Sequence, residues 1–206
     1  MIERTSLKVI NKTLEENKNW KILDIGCGYT ANPNANYIAD VQDFSDFYKN
    51  RKIFTRITDK ILPFKDNEFD FVIASHVIEH VEDFEFFLKE LERISKKGYI
   101  ELPTRLGDNL VFENTSDHIW WFTFCDIEKK LLASRRNQTL EPFLSVNTGK
   151  KISDSFRESF VLELLWKDKI DYRFDEEINN EKISKFKFLN IVKKYFSKKI
   201  RRLFSR

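Results

Sequence analysis

The chain has 206 residues and 36 Lys+Arg against 33 Asp+Glu, a formal charge of +3. Ten of the basic residues and no acid fall in residues 182–206, so that segment carries +10 and residues 1–181 carry −7. An acidic body repels phosphate, which argues against a protein that wraps nucleic acid along its length, and 15% aromatic residues argue against disorder.

Leu7, Ile10 and Leu14, with Val9 beside them, predict an amphipathic helix over residues 6–17. Residues 20–25 read as a short buried strand halted by Gly26-Cys27-Gly28, and Asn32-Pro33-Asn34 is turn chemistry. Further strands are predicted at 37–39, ending at Asp40, at 52–57, ending at Asp59, and at 69–74, ending at Ser75-His76. Residues 82–97 form the clearest helix. Asp83 caps it, Phe84, Phe87, Leu88, Leu91 and Ile94 share one face, and Gly98 suits the position just past its end.

A fifth strand is predicted at 99–102 before Pro103, and Thr123 with Asp126 resembles a capping box that opens a helix through Ala133. Residues 134–157 read as a loop, and 159–165 with 170–174 as an antiparallel hairpin around Lys167-Asp168. The expected fold class is α/β: a Rossmann-like, open, mostly parallel sheet with a C-terminal antiparallel hairpin. In the basic segment, Phe186, Leu189, Val192, Phe196, Ile200 and Leu203/Phe204 fall on one helical face. A basic amphipathic helix of this kind suits an anionic membrane surface, with docking on the acidic body and RNA binding as competing readings. The expected organisation is one domain, residues 1–181, and a basic tail, residues 182–206.

Cys27 and Cys125 make no Cys-x-x-Cys pair, which excludes a disulfide scaffold and fits a reducing compartment. Residues 1–20 lack the apolar stretch of a signal peptide, and no run of about 18 apolar residues occurs. The expected location is therefore the cytoplasm, with the tail reaching the cytoplasmic membrane face.

In an open α/β sheet, ligands bind beyond the carboxyl ends of the strands. Glycines after the first strand allow close approach of a ligand to the backbone. Asp40 is placed to accept ribose hydroxyls and Asp59 to accept from an exocyclic amine. Leu23-Asp24-Ile25-Gly26-Cys27-Gly28 resembles the first motif of class I S-adenosylmethionine-dependent methyltransferases. The block from Asp59-Lys60-Ile61-Leu62-Pro63-Phe64 through Glu68-Phe69-Asp70-Phe71-Val72-Ile73-Ala74-Ser75-His76-Val77-Ile78-Glu79-His80 resembles the type 11 pattern of that superfamily.

The resemblance covers about residues 20–105. It implies S-adenosylmethionine as cofactor, with Asp24, Gly26, Cys27 and Gly28 at its methionine end, Asp40 at the ribose, Asp59 and Lys60 at the adenine, and Ser75 near the fourth strand end. The sequence departs from the pattern in two ways. The third glycine is replaced by Tyr29-Thr30-Ala31, and residues 32–36 replace the helix expected between the first two strands.

A sulfonium methyl is already activated, so the protein mainly aligns the acceptor; a hydroxyl acceptor also calls for a base, and His suits neutral pH. His80 and His118 are the candidate catalytic residues. Asp117 and the indoles of Trp120 and Trp121 are read as an aromatic-walled site for a polar acceptor, and Glu101 as a group that orients either histidine. His76-Val77-Ile78-Glu79-His80 also fits the His-x-x-Glu-His pattern of inverted zinc peptidases. That reading needs His76 and His80 on one helix, and no metal is expected. The expected activity is methylation of an oxygen on a small polar or glycan acceptor, including a lipid-linked sugar. A non-catalytic cofactor-binding partner and a nucleic-acid methyltransferase guided by the tail are the alternatives.

Overall fold

The computed structural model describes residues 1–175, 183, 185 and 187–204. Strand β1 (Ile2–Arg4) and helix α1 (Leu7–Glu16) come first. The Ser6 hydroxyl accepts the Val9 N–H to cap α1, which buries Ile10 and Leu14. Then follow β2 (Ile22–Ile25), β3 (Tyr37–Asp40), α2 (Ser45–Tyr48), β4 (Ile53–Arg56) and β5 (Phe71–Ser75). A single 3-10 turn (Ile78–His80) leads into α3 (Phe84–Ile94), capped by Asp83.

Next come β6 (Lys97–Pro103), α4 (Arg105–Leu110), α5 (Asn114–Asp117), β7 (Trp120–Cys125) and β8 (Lys130–Arg135). The chain closes with α6 (Val146–Ser155), α7 (Arg157–Phe160), β9 (Val161–Lys167), β10 (Tyr172–Phe174) and α8 (Phe188–Phe204).

The main sheet has the order β1-β9-β6-β5-β2-β3-β4. Strands β2 to β6 are parallel to one another, while β9 runs antiparallel to both β6 and β1. The fold is thus the expected α/β class with an open, mostly parallel sheet. Alternation sends Leu23, Ile25, Val72 and Ala74 to the α3 side and Ile22, Phe71, Ile73 and Tyr99 to the α1 side, so both faces are covered. The chain leaves β2 for β3 on one side and returns as β5 on the other. This reversal opens a crevice above the ends of β2 and β5.

Four expectations are corrected. Residues 123–133 form no helix: Trp120, Phe122 and Phe124 alternate on β7 and pack with Leu131 and Ala133 of β8, and the two strands pair antiparallel. Lys129, at φ 54°, lies in the turn between them. Second, β9 and β10 form no hairpin. β9 lies between β6 and β1 in the main sheet, and β10 pairs parallel with β8 in a separate sheet ordered β10-β8-β7. Third, part of the expected loop is helical, since Ser145 accepts the Thr148 N–H and starts α6.

Fourth, Ser95 and not Gly98 ends α3. Gly98 sits in β6, where a Cβ would lie 2.3 Å from the Val72 carbonyl oxygen and 2.7 Å from Trp166 Nε1; close packing explains the glycine. In the tail, α8 carries exposed Leu189, Tyr195, Phe196 and Ile200. Phe186 and the expected boundary at 181/182 lie outside the described residues.

Candidate active site

The turn after β2 is the centre of the site. Gly26 has φ 70° and donates its N–H to the Ala39 carbonyl at 2.7 Å; a Cβ there would lie 2.2 Å from Val77 Cγ2. Gly28 has φ 47°, and nothing lies within 4 Å of where its Cβ would be, so it presents open space. The Gly28 N–H donates to Asp40 Oδ2 at 2.9 Å, and Gln42 N–H donates to Asp40 Oδ1 at 2.9 Å. Asp40 thus braces the turn while lining the crevice.

The loop that replaces the expected helix is pinned from below. Asp24 Oδ2 accepts the Asn32 N–H at 2.6 Å, Tyr48 OH donates to the Gly28 carbonyl and accepts the Ala31 N–H, and Lys52 Nζ donates to the Asn32 carbonyl. Burial pushes the Asp24 carboxyl up to about 7, against opposing help from Asn32 and Lys52. Burial, with Asp24 and Asp40 nearby, also pushes the Cys27 thiol up to about 12, so Cys27 is not a nucleophile.

Two cavities flank Gly26. One, of about 270 Å³, is walled by Val41, Ile57, Leu62 and Phe87 and edged by Asp40, Asp59 and Lys60. Asp59 is exposed and accepts from its neighbour Thr58 at 3.1 Å, and Lys60 lies 3.7 Å from Asp83. The other, of about 480 Å³, is polar: Asp24, Gly28, Ser75, His80, His118 and Lys150 are among its lining residues. All eight expected cofactor residues therefore border one or other cavity.

His76 and His80 part company. His76, at φ 54°, has Nδ1 3.3 Å from Glu79 Oε1 and Nε2 3.3 Å from Glu101 Oε1. Partial burial lowers its pKa, but Glu101 and Glu79 outweigh this and push it up to about 10. Burial likewise raises Glu101, but His76, Tyr99 and Arg157 outweigh it and hold that carboxyl at about 2. Glu101 therefore orients His76, not His80 or His118 as expected from sequence. His80 ends the three-residue turn Ile78–His80 and His76 precedes it, so the two do not share the helix an inverted zinc peptidase requires.

His80 instead meets His118: the rings stand edge to face with centroids 4.5 Å apart. His80 Nδ1 donates to the Asp117 carbonyl at 2.9 Å, while His118 Nδ1 pairs with the carboxylate of Asp108. Asp108 is fully buried, receives Trp121 Nε1 at 2.5 Å and pairs with Arg136 at 2.7 Å. Burial raises its carboxyl, yet His118, Trp121 and Arg136 together hold it below the usual carboxylate range.

The aromatic wall expected of Trp120 and Trp121 is not there. Both indoles are buried, Trp120 donating to the Val81 carbonyl at 3.1 Å. Asp108 carries little local signal in the sequence beyond its place in the first turn of the Thr104-capped α4.

A family model described as "Methyltransferase domain" matches residues 23–100. An uncharacterized protein of Methanocaldococcus jannaschii, MJ0638, is 34% identical over 121 residues, 52% of this chain and 50% of that protein. The chain thus spans about half the length of this curated relative. Among solved structures, a carbon methyltransferase, CurJ, superposes with TM-score 0.48 at 18% identity, covering 79% of this chain and 52% of that one. A SAM-dependent methyltransferase from Aquifex aeolicus gives 0.42 at 12% identity, covering 77% and 87%.

The match of residues 23–100 to a methyltransferase domain supports S-adenosylmethionine as the cofactor. The residues fit that molecule: the apolar cavity with its acidic edge suits a nucleoside, the polar cavity suits an amino acid head, and Gly26 lies at their junction with the open face of Gly28 in the polar one.

Proposed function

We propose that the protein transfers a methyl group from S-adenosylmethionine to an oxygen of a small polar acceptor, a sugar or lipid-linked glycan being the preferred class. The observation that carries this reading is the pair of cavities meeting at Gly26, the second of which holds both His80 and His118. The cofactor supplies an already activated methyl, so alignment and exclusion of water are the protein's main tasks. Asp40 and Asp59 would hold the ribose and the base, and the walls of Leu62 and Phe87 would keep water from the nucleoside. With Nδ1 of His118 committed to Asp108, its Nε2 is the atom left to receive a hydroxyl proton.

The test is a thermal-shift panel with S-adenosylmethionine, S-adenosylhomocysteine and NAD, followed by methyl-labelled transfer to sugars and isoprenoid-linked glycans. A ligand at 100 times its Kd adds about 2.7 kcal/mol, so a shift with the first two alone is expected. No shift with either removes the reading. The tail is proposed to bring the chain to an anionic membrane surface, supported by the exposed Leu189, Tyr195, Phe196 and Ile200 beside Lys193, Lys194, Lys198 and Lys199. Flotation with phosphatidylglycerol vesicles, and not with phosphatidylcholine vesicles, is the expected result; RNA retention without flotation overturns it.

A further inference from the structure

We propose that Glu79, His80 and His118 form a binding site for a divalent first-row transition-metal ion of the zinc type, opening into the polar cavity. One candidate ligand atom from each residue lies within 4.8 Å of the other two. The assignment rests on what those atoms lack. Glu79 is fully buried, yet its Oε2 has no hydrogen-bond partner. A buried carboxylate oxygen left without a donor costs about 1–3 kcal/mol or more, so its retention asks for a ligand.

The two imidazoles point the same way. His80 Nδ1 faces a carbonyl oxygen, which can only accept, so Nδ1 must be the donor there. His118 Nδ1 is held by the Asp108 carboxylate in the same sense. In each ring Nε2 is then left to present a lone pair. Two imidazoles and a carboxylate with an unpartnered oxygen thus stand together, and a cation between them satisfies all three.

The outer contacts match as well. A metal-bound histidine characteristically donates its other N–H to a carboxylate or a backbone carbonyl, which fixes tautomer and ring orientation. His118 has the first kind of support and His80 the second. Asp108 is itself secured by Trp121 and Arg136, so His118 cannot swing away without exposing a buried charge. Zinc bonds to nitrogen and oxygen are roughly 2.0–2.2 Å, so two ligand atoms of one ion stand closer than the 4.8 Å limit within which these three lie. Two histidines and one glutamate with further positions open is a donor set of catalytic rather than structural type, and imidazole favours zinc, cobalt or iron over magnesium.

The ion's use rests on the methyl-transfer reading; its binding does not. With the ion present, His80 and His118 are ligands and no longer bases. The acceptor oxygen would then be made acidic by the ion. As its O–CH3 bond forms and the S–CH3 bond breaks, the hydroxyl proton passes to water at the exposed His80 edge and S-adenosylhomocysteine leaves.

The test uses the full chain after chelator treatment. Zn2+ is titrated in by calorimetry and Co2+ by its visible absorption, with Mg2+ as the hard-ion control. S-adenosylhomocysteine is titrated separately. Expected are stoichiometric binding of Zn2+ and Co2+, weak binding of Mg2+, and at least about 100-fold weaker Zn2+ binding in Glu79→Gln and His80→Ala. His80 is exposed, so His80→Ala keeps the test interpretable if Glu79→Gln fails to fold.

Folded wild-type protein that binds neither ion overturns the site, as does undiminished Zn2+ binding in His80→Ala. Zn2+ binding without S-adenosylhomocysteine binding leaves the site standing and removes the methyl-transfer reading. The reverse pattern does the opposite.

Discussion

Asp108 on α4 and His118, just past α5, are joined as a buried carboxylate and the imidazole nitrogen it holds, with Trp121 and Arg136 completing the pair. Removing the carboxylate leaves Arg136 and His118 without their shared partner. Asp108→Ala is expected to cost about 3–5 kcal/mol in urea unfolding, the range for a broken buried pair. A loss under about 1 kcal/mol would mean that these contacts do not organise the site.

Asp40 and Asp59 border the same cavity but differ in what else they do. Asp59 is exposed and, among the described residues, its hydrogen bond is a local one to Thr58, so Asp59→Ala is expected to weaken S-adenosylhomocysteine binding about tenfold with an unchanged unfolding midpoint. Asp40→Ala removes the acceptor for two backbone N–H groups and should lower both affinity and stability. Calorimetry and urea titration on the same preparations distinguish the two patterns.

The two glycines of the turn make a second contrast. Gly26→Ala meets Val77 at 2.2 Å and a left-handed backbone, so a loss of about 2–4 kcal/mol is expected. Val77→Ala in the same chain should recover the steric part and leave the backbone part. Gly28→Ala has open space and should cost only about 1 kcal/mol, while its methyl group intrudes on the cofactor and weakens binding.

How far the sequence reveals this architecture depends on which interactions are local. The parallel strands were legible because burial on both faces makes them apolar runs, as in Phe71 to Ala74. Thr123 and Asp126 misled because spacing alone cannot show that Asp126 pairs with Arg4, 122 positions away, while Phe122 and Phe124 alternate into the core. The pairing of β9 and β10 escapes the sequence pattern for the same reason, their partners being β6, β1 and β8. In the site, residues following strand ends were found, since topology fixes them. Asp108 was not found, because only the folded chain brings it to His118.

Asp24 gives a pH signature in the cofactor-free protein. Its folded value of about 7 lies above the ordinary 3.8, so between those values the native state holds a proton that the unfolded chain has lost. Its contribution is therefore full at low pH and is lost as pH rises through about 7. At about 1.4 kcal/mol per unit, stability should fall by about 2–3 kcal/mol from near pH 5 to near pH 8 on this account. Asp24→Asn should flatten the profile in urea titrations at each pH; an unchanged slope would assign it to another group.

The double duty of Asp40 bears on how related sequences are to be sorted. A descendant that had stopped using the cofactor would still need an acceptor for the Gly28 and Gln42 N–H groups, and so would retain an aspartate here. Asp59 answers to no such demand from the backbone. On the proposed reading, it is loss of Asp59, and not of Asp40, that would mark a homologue that has abandoned the cofactor.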